Sequence, residues 1–170
     1  MNRRQWIGSG IAAAALLVGA GAVYEFQRDP APEDAYRFRA LDEADRGILA
    51  AIGPVILAGS LPQTEDARRV FIEGFDTAVS GLTPSVQAEV AQLFMLLRVA
   101  PLRMIATGVM KPWHLASADE ISNFLDAWRF SGIVKLRSAY DALHQLSYGA
   151  WYGNPVSWAG TNYPGPPKLA

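Results

Sequence analysis

From Leu41 to Tyr152 apolar residues return three and four positions apart, and no run of β-branched residues alternates with polar ones. A period near 3.6 puts such residues on one face of a helix, whereas a half-buried strand needs a period of two. The expected fold is therefore all-α. Proline and glycine cut the pattern into short pieces. A first helix over about 41–58 turns Leu41, Ile48, Leu49, Ile52, Val55 and Ile56 inward, with Asp42, Glu43 and Asp45 in its first turn, where the helix dipole favours them. Pro54 predicts a kink, and Gly59-Ser60-Leu61-Pro62 an end. A second helix starts near Thr64, buries Val70, Phe71, Phe75 and Val79, and closes at Gly81.

Thr83-Pro84 is a start signal for a third helix. Its stretch from Val90 to Leu97 is apolar nearly all round, which predicts a central position, and Pro101 predicts a break. Val109–Leu115 reads as a loop with an unusual load of large side chains. Ser117 and Glu120 form a capping box for a helix carrying Ile121, Phe124, Leu125 and Trp128 inward. After Gly132 a last helix over 133–152 places Ile133, Leu136, Tyr140, Leu143 and Leu146 on one stripe, ending at Gly153 and Pro155. The organisation expected is an extended linker over 25–40, an irregular, orthogonal bundle of five to six helices over 41–153, and an extended, aromatic, proline-rich tail over 154–170. The kinks and short pieces argue against an up-down four-helix bundle.

The chain has 170 residues, enough for one domain, and a formal net charge of −1, so no basic field points to nucleic acid. It has no cysteine, which removes disulfides, thiolate metal sites, CxxCH haem attachment and cysteine nucleophiles. Two histidines, His114 and His144, leave little for a histidine metal site. Phosphate-binding glycine loops, GxSxG, HExxH and ExxH pairs are all missing.

What remains reads as structure. Glu73 and Asp76 sit three apart and read as a solvated face. Asp141, His144 and Ser147 resemble a triad only superficially, since all three stand on one regular helix. His144 reads as structural, and His114 as a buried or interface histidine bonded to backbone. Arg98 and Arg103 read as salt-bridged structural arginines, and Lys135 and Arg137 as a solvated face around Leu136. No catalytic residue and no metal ligand is assigned.

The start of the chain carries a different signal. Arg3-Arg4 precede a stretch without charge from Gln5 to Tyr24 that contains Ile11-Ala-Ala-Ala-Ala-Leu-Leu-Val18. A short cationic segment before a moderate apolar one is the export-signal pattern, and the arginine pair before Trp6-Ile7 resembles a twin-arginine leader. Ala20-Gly21-Ala22 offers cleavage after Ala22, giving a signal peptide over 1–22. The same stretch, read as 5–24, is long enough for an uncleaved anchor. Either reading puts the body in the periplasm, and the second attaches it to the inner membrane.

The other end is aromatic. Tyr148, Trp151, Tyr152, Trp158 and Tyr163 fall within 16 residues, and Tyr163-Pro164-Gly165-Pro166-Pro167 follows. Tyr and Trp are the usual anchors of interfaces. Two readings stand side by side: the run packs on its own bundle, or it meets a large partner through Trp151, Tyr152, Trp158, Tyr163, Pro164, Pro166 and Pro167.

Leader, first helix followed by Leu61-Pro62, and the C-terminal run Ala150-Trp151-Tyr152-Gly153-Asn154-Pro155, Trp158-Ala159-Gly160 and Tyr163–Pro167 together resemble the small subunits of periplasmic flavin-dependent dehydrogenases, the gluconate 2-dehydrogenase subunit 3 type. The resemblance implies a non-catalytic subunit with no cofactor of its own. It would escort and stabilise a glucose–methanol–choline-type flavoprotein that holds FAD, and would carry the export signal of the folded pair to the twin-arginine translocase. A cytochrome c often accepts the electrons in such complexes. A free-standing periplasmic helical ligand-binding protein is the alternative, and an enzyme using His144 or His114 a third reading.

Overall fold

The computed structural model describes residues 36–161 and 163–165. Arg3, Arg4, the Ala22 cleavage position, most of the linker, Pro166 and Pro167 lie outside them. Among the described residues there are seven α-helices, one 3₁₀ turn and no strand, as the periodicity predicts.

α1 (Glu43–Ile56) opens with a reciprocal cap: Asp45 N donates to the Asp42 carboxylate, and Asp42 N to the Asp45 carboxylate. Ile48, Leu49 and Ile52 form its buried face. Pro54 lies within its last turn. α2 (Glu65–Ser80) is capped by the Thr64 hydroxyl, which accepts from Ala67 N, and ends at Gly81. It supplies the centre of the core, where Phe71, Phe75 and Phe94 pack edge to face with centroids 6.2 and 6.0 Å apart. Such pairs align the positive ring edge with the negative face of the neighbour.

α3 (Pro84–Arg98) begins where expected, although the Thr83 side chain caps no amide. Val90–Leu97, apolar nearly all round, is not covered all round. Val90, Leu93, Phe94 and Leu97 face the core, but Met95 is 57% exposed. The chain then turns by 93° into α4 (Ala100–Thr107). Pro101 explains the break: without an N–H it leaves the Leu97 carbonyl unbonded within the helix. The Trp113 indole fills the vacancy, Nε1 donating to that carbonyl at 2.9 Å. Trp113 belongs to the 3₁₀ turn Trp113–Leu115, inside what the sequence presents as an irregular loop.

α5 (Ala118–Arg129) opens with the Ser117–Glu120 capping box. Its inner face continues an aromatic row, Trp113–Phe124–Trp128, with both centroid distances at 5.5 Å. α6 (Val134–Tyr152) packs most extensively on α2. Small residues permit the close crossing: a Cβ at Gly74 would stand 2.7 Å from the Ala150 carbonyl oxygen. The buried face of α6 is Leu143, Ser147, Ala150 and Trp151, with Leu136, Tyr140 and Leu146 half-buried beside it. Ile133, expected on that stripe, is the N-cap instead and is 61% exposed, because its extended backbone lies outside the helix.

The tail expected to be extended from residue 154 contains a further helix, α7 (Pro155–Thr161). The Asn154-Pro155 pair is its start signal rather than a plain turn. Asn154 Oδ1 accepts from Val156 N, and proline at the first helical position lacks only a donor that has no partner there. No regular structure follows over Tyr163–Gly165.

Candidate functional site

Asp141, His144 and Ser147, the triad-like set on the last long helix, do not assemble as one. Asp141 is exposed, His144 is half-buried against tyrosines, and Ser147 is fully buried, its hydroxyl without a hydrogen-bond partner. The three lie on one helix and form no relay. His114 is exposed rather than buried, at the end of the α4–α5 connection.

The carboxylates and arginines are structural, in part differently from expectation. Asp76 does not face solvent: it is 0% exposed. It accepts from the backbone amides of Arg39 (3.1 and 3.2 Å), Ala40 (2.8 Å) and Leu41 (2.9 Å). Successive amides aimed at one point make an anion-binding concavity, and here the chain supplies the anion itself. The end of the linker is thereby pinned to α2. Glu73, by contrast, meets Arg69 at 3.4 Å near the surface.

Arg98 Nη2 bridges Asp45 at 2.6 Å and Asp42 at 2.8 Å, joining the end of α3 to the start of α1. The hydrogen bond that Arg98 donates to Asp45, against some desolvation and with Asp42 adding to it, holds the guanidinium above its ordinary pKa. Partial burial pushes Asp42 up, but the Asp45 amide and Arg98 outweigh it and hold its carboxyl below the usual value. Arg103 is buried without a carboxylate partner among the described residues. It donates to the carbonyls of Val109 (3.2 Å) and Met110 (3.3 Å), fixing the connection after α4.

A groove of about 350 Å³ lies beside this network, lined by Arg39, Leu41, Asp45, Val79, Gln87 and Phe94 among others. It is at the small end for a ligand site.

The aromatic C-terminal residues divide sharply. Trp151 is 2% exposed and belongs to the chain's own core, so it offers no surface to a partner. Tyr152 is half-buried and donates to Ser60 Oγ at 2.6 Å. Trp158 is half-buried; its indole donates to the Tyr152 carbonyl at 2.9 Å, an acceptor left over at the end of α6. Tyr163 leans edge-on against Trp158 at 5.4 Å and stays 49% exposed, next to exposed Pro164. Gly165, at φ +92°, passes so close to the Trp158 ring that a Cβ would lie 3.0 Å away.

Sequence reasoning missed one arrangement. Tyr140, His144, Tyr148 and Tyr152 stand four residues apart on α6, and their rings follow one another at 5.6, 4.2 and 5.5 Å. Their spacing is the i, i+4 neighbour relation of a helix surface, so the signal was present in the sequence. Tyr148 is 38% exposed. Tyr148 and Tyr163 are thus both partly open, each backed by a neighbouring ring.

Comparison with family models, with curated proteins and with solved structures finds no match for this chain.

Proposed function

We propose that the chain is the non-catalytic small subunit of a periplasmic flavin-dependent dehydrogenase, escorting and stabilising a glucose–methanol–choline-type large subunit and supplying its twin-arginine export signal. The observation that carries the reading is the C-terminal aromatic assembly. Within the described part of the run on which the family resemblance rests, Trp158 donates to the Tyr152 carbonyl, Gly165 passes close to the Trp158 ring and Tyr163 is half exposed; Tyr148, just before the run, is 38% exposed. Rigid aromatics with a free face lose little entropy on docking. FAD belongs to the large subunit in this reading, and a cytochrome c often accepts the electrons in complexes of this type; this chain contributes folding support and the leader.

The test is co-production with a flavoprotein dehydrogenase encoded next to this chain. The tagged small subunit should bring down a flavin-absorbing partner from the periplasm, and Arg3→Lys with Arg4→Lys should leave both proteins in the cytoplasm. A partner that still reaches the periplasm with the doubly substituted leader would remove the escort role. Turnover per folded complex should be nearly unchanged by a joint His114→Ala and His144→Ala replacement. A fall of about a thousandfold, the scale of a lost acid–base residue, would make this chain catalytic instead.

A further inference from the structure

The corner between α5 and α6 is unusual for a surface turn. Over Arg129–Arg137 the chain exposes Phe130 (74%), Ile133 (61%) and Val134 (64%). Turns of this kind are ordinarily polar, since they leave backbone groups to water. Arg129 and Lys135 are exposed beside these residues, and half-buried Arg137 lies one turn further. None of the three pairs with a carboxylate among the described residues, although Arg137 donates to the Ser131 carbonyl; the nearest acids in the chain, Asp126 and Asp141, lie one turn away on either side, so the corner carries three cations to these two acids.

α4 adjoins the corner, because Trp128 Nε1 donates to the Ala106 carbonyl at 2.6 Å. Ile105, the preceding residue, is 85% exposed. This flank is free of acid: between Glu89 and Asp119 the only formal charges are Arg98, Arg103 and Lys111.

We infer that this corner, with the outer face of α4 beside it, docks on an anionic lipid surface. Three bulky apolar side chains exposed at one turn can enter the boundary between headgroups and acyl chains. Long cationic side chains beside them keep their stems on apolar surface and their heads at the phosphate level. The charge pattern chooses among occupants. A twofold contact between copies would set Arg129, Lys135 and Arg137 against their own equivalents, and like charges at an interface are repelled. An anionic bilayer supplies a continuous negative surface, and each basic residue near it adds to the attraction. The contact is interfacial rather than spanning, since no single helix among the described residues is long and apolar enough to cross a membrane. The bent α3–α4 pair is apolar enough by composition, but Leu93, Phe94 and Leu97 are committed to the core. This inference rests on other residues than the proposed subunit contact and does not depend on it.

The test is flotation of the full chain with phosphatidylglycerol/phosphatidylethanolamine vesicles, with pure phosphatidylcholine vesicles alongside. Two variants are compared with the parent: Phe130→Ser/Ile133→Ser/Val134→Ser, and Arg129→Gln/Lys135→Gln/Arg137→Gln. The leader is common to all three proteins, so differences report the corner. Each variant should lose about tenfold or more in partitioning to the anionic vesicles, and the parent should prefer them over phosphatidylcholine. Circular dichroism checks that each variant is folded.

A second measurement uses the absence of native cysteine. An environment-sensitive fluorophore on Ile133→Cys should shift to the blue with anionic vesicles, and the same label on Gln63→Cys, in the α1–α2 loop, should not. Equal shifts at both positions, or at neither, overturn the inference. So does parent-like vesicle binding by both folded variants, including the case in which they instead lose self-association or flavoprotein binding.

Discussion

Two stretches of this chain are rich in large apolar side chains, and they are used in opposite ways. From Ala150 to Gly165 the aromatics close on the bundle: Trp151 is in the core, Tyr152 and Trp158 are half-buried with Trp158 capping the last carbonyl of α6, and Tyr163 is the most exposed. From Arg129 to Arg137, Phe130, Ile133 and Val134 stand out in solvent. The more conspicuous stretch in the sequence is thus the better packed. Aromatic density reports that large surfaces need covering, and a chain can cover them itself. The informative quantity for interaction is apolar surface left uncovered.

Substitutions can break that contrast. The largest effect is expected from Trp151→Ala, which empties a fully enclosed site. A loss of about 3–5 kcal/mol, read from urea unfolding, is the scale for a large aromatic in a core. A loss under about 1 kcal/mol would return Trp151 to the partner surface. Trp158→Ala comes next. It leaves the Tyr152 carbonyl without its donor and removes the support of Tyr163 and Gly165, for about 1–3 kcal/mol by the same measurement. If stability were unchanged, the C-terminal turn would be an appendage and the contrast between the two stretches would shrink.

Acid sharpens the comparison because its target lies in neither stretch. Asp42 is held below its ordinary pKa, so its pairing with Arg98 stabilises the fold above the unfolded-state value near 3.8. That contribution disappears as the pH falls through the lower folded-state value. Asp42 is half-exposed and screened, so the loss should stay under about 1 kcal/mol. Thermal melts between pH 6 and 3 should therefore show the same acid increment in the parent, in Trp158→Ala and in the corner variants. Unequal increments would mean that one stretch is coupled to the α1–α3 contact. The smallest effect belongs to the corner itself. Phe130→Ser, Ile133→Ser and Val134→Ser should each move stability by about 0.5 kcal/mol or less, since exposed side chains contribute little to the folded state. Larger losses would show that the corner is packed in solution.

Local structure was legible where it depends on neighbours in the chain. The Ser117–Glu120 capping box, the Thr83-Pro84 start, the stop at Gly81 and the break near Pro101 each follow from donors and acceptors a few residues apart. The inward faces of α2 and α5 follow from period alone, since Phe71, Phe75, Phe124 and Trp128 can share a face only in a helix. Asn154-Pro155 was equally local, but its two meanings, turn and helix start, are the same chemistry with a different continuation.

Long-range partners were not legible. Nothing near Asp76 announces that Arg39, Ala40 and Leu41 will turn their amides toward it, so a buried carboxylate looked like a surface one. Arg98 asked for a counter-charge, but Asp42 and Asp45 were chosen by the crossing of α1 and α3. The same holds for the indoles. Pro101 and the ends of α4 and α6 free carbonyls that the sequence can locate. Which of Trp113, Trp128 and Trp158 reaches which carbonyl depends on helices meeting in space. The sequence determined that this chain is a set of short amphipathic helices, because period, caps and breaks act over a few residues. Tertiary structure decided which apolar groups are covered, because burial is a property of two surfaces and the second surface comes from elsewhere in the chain.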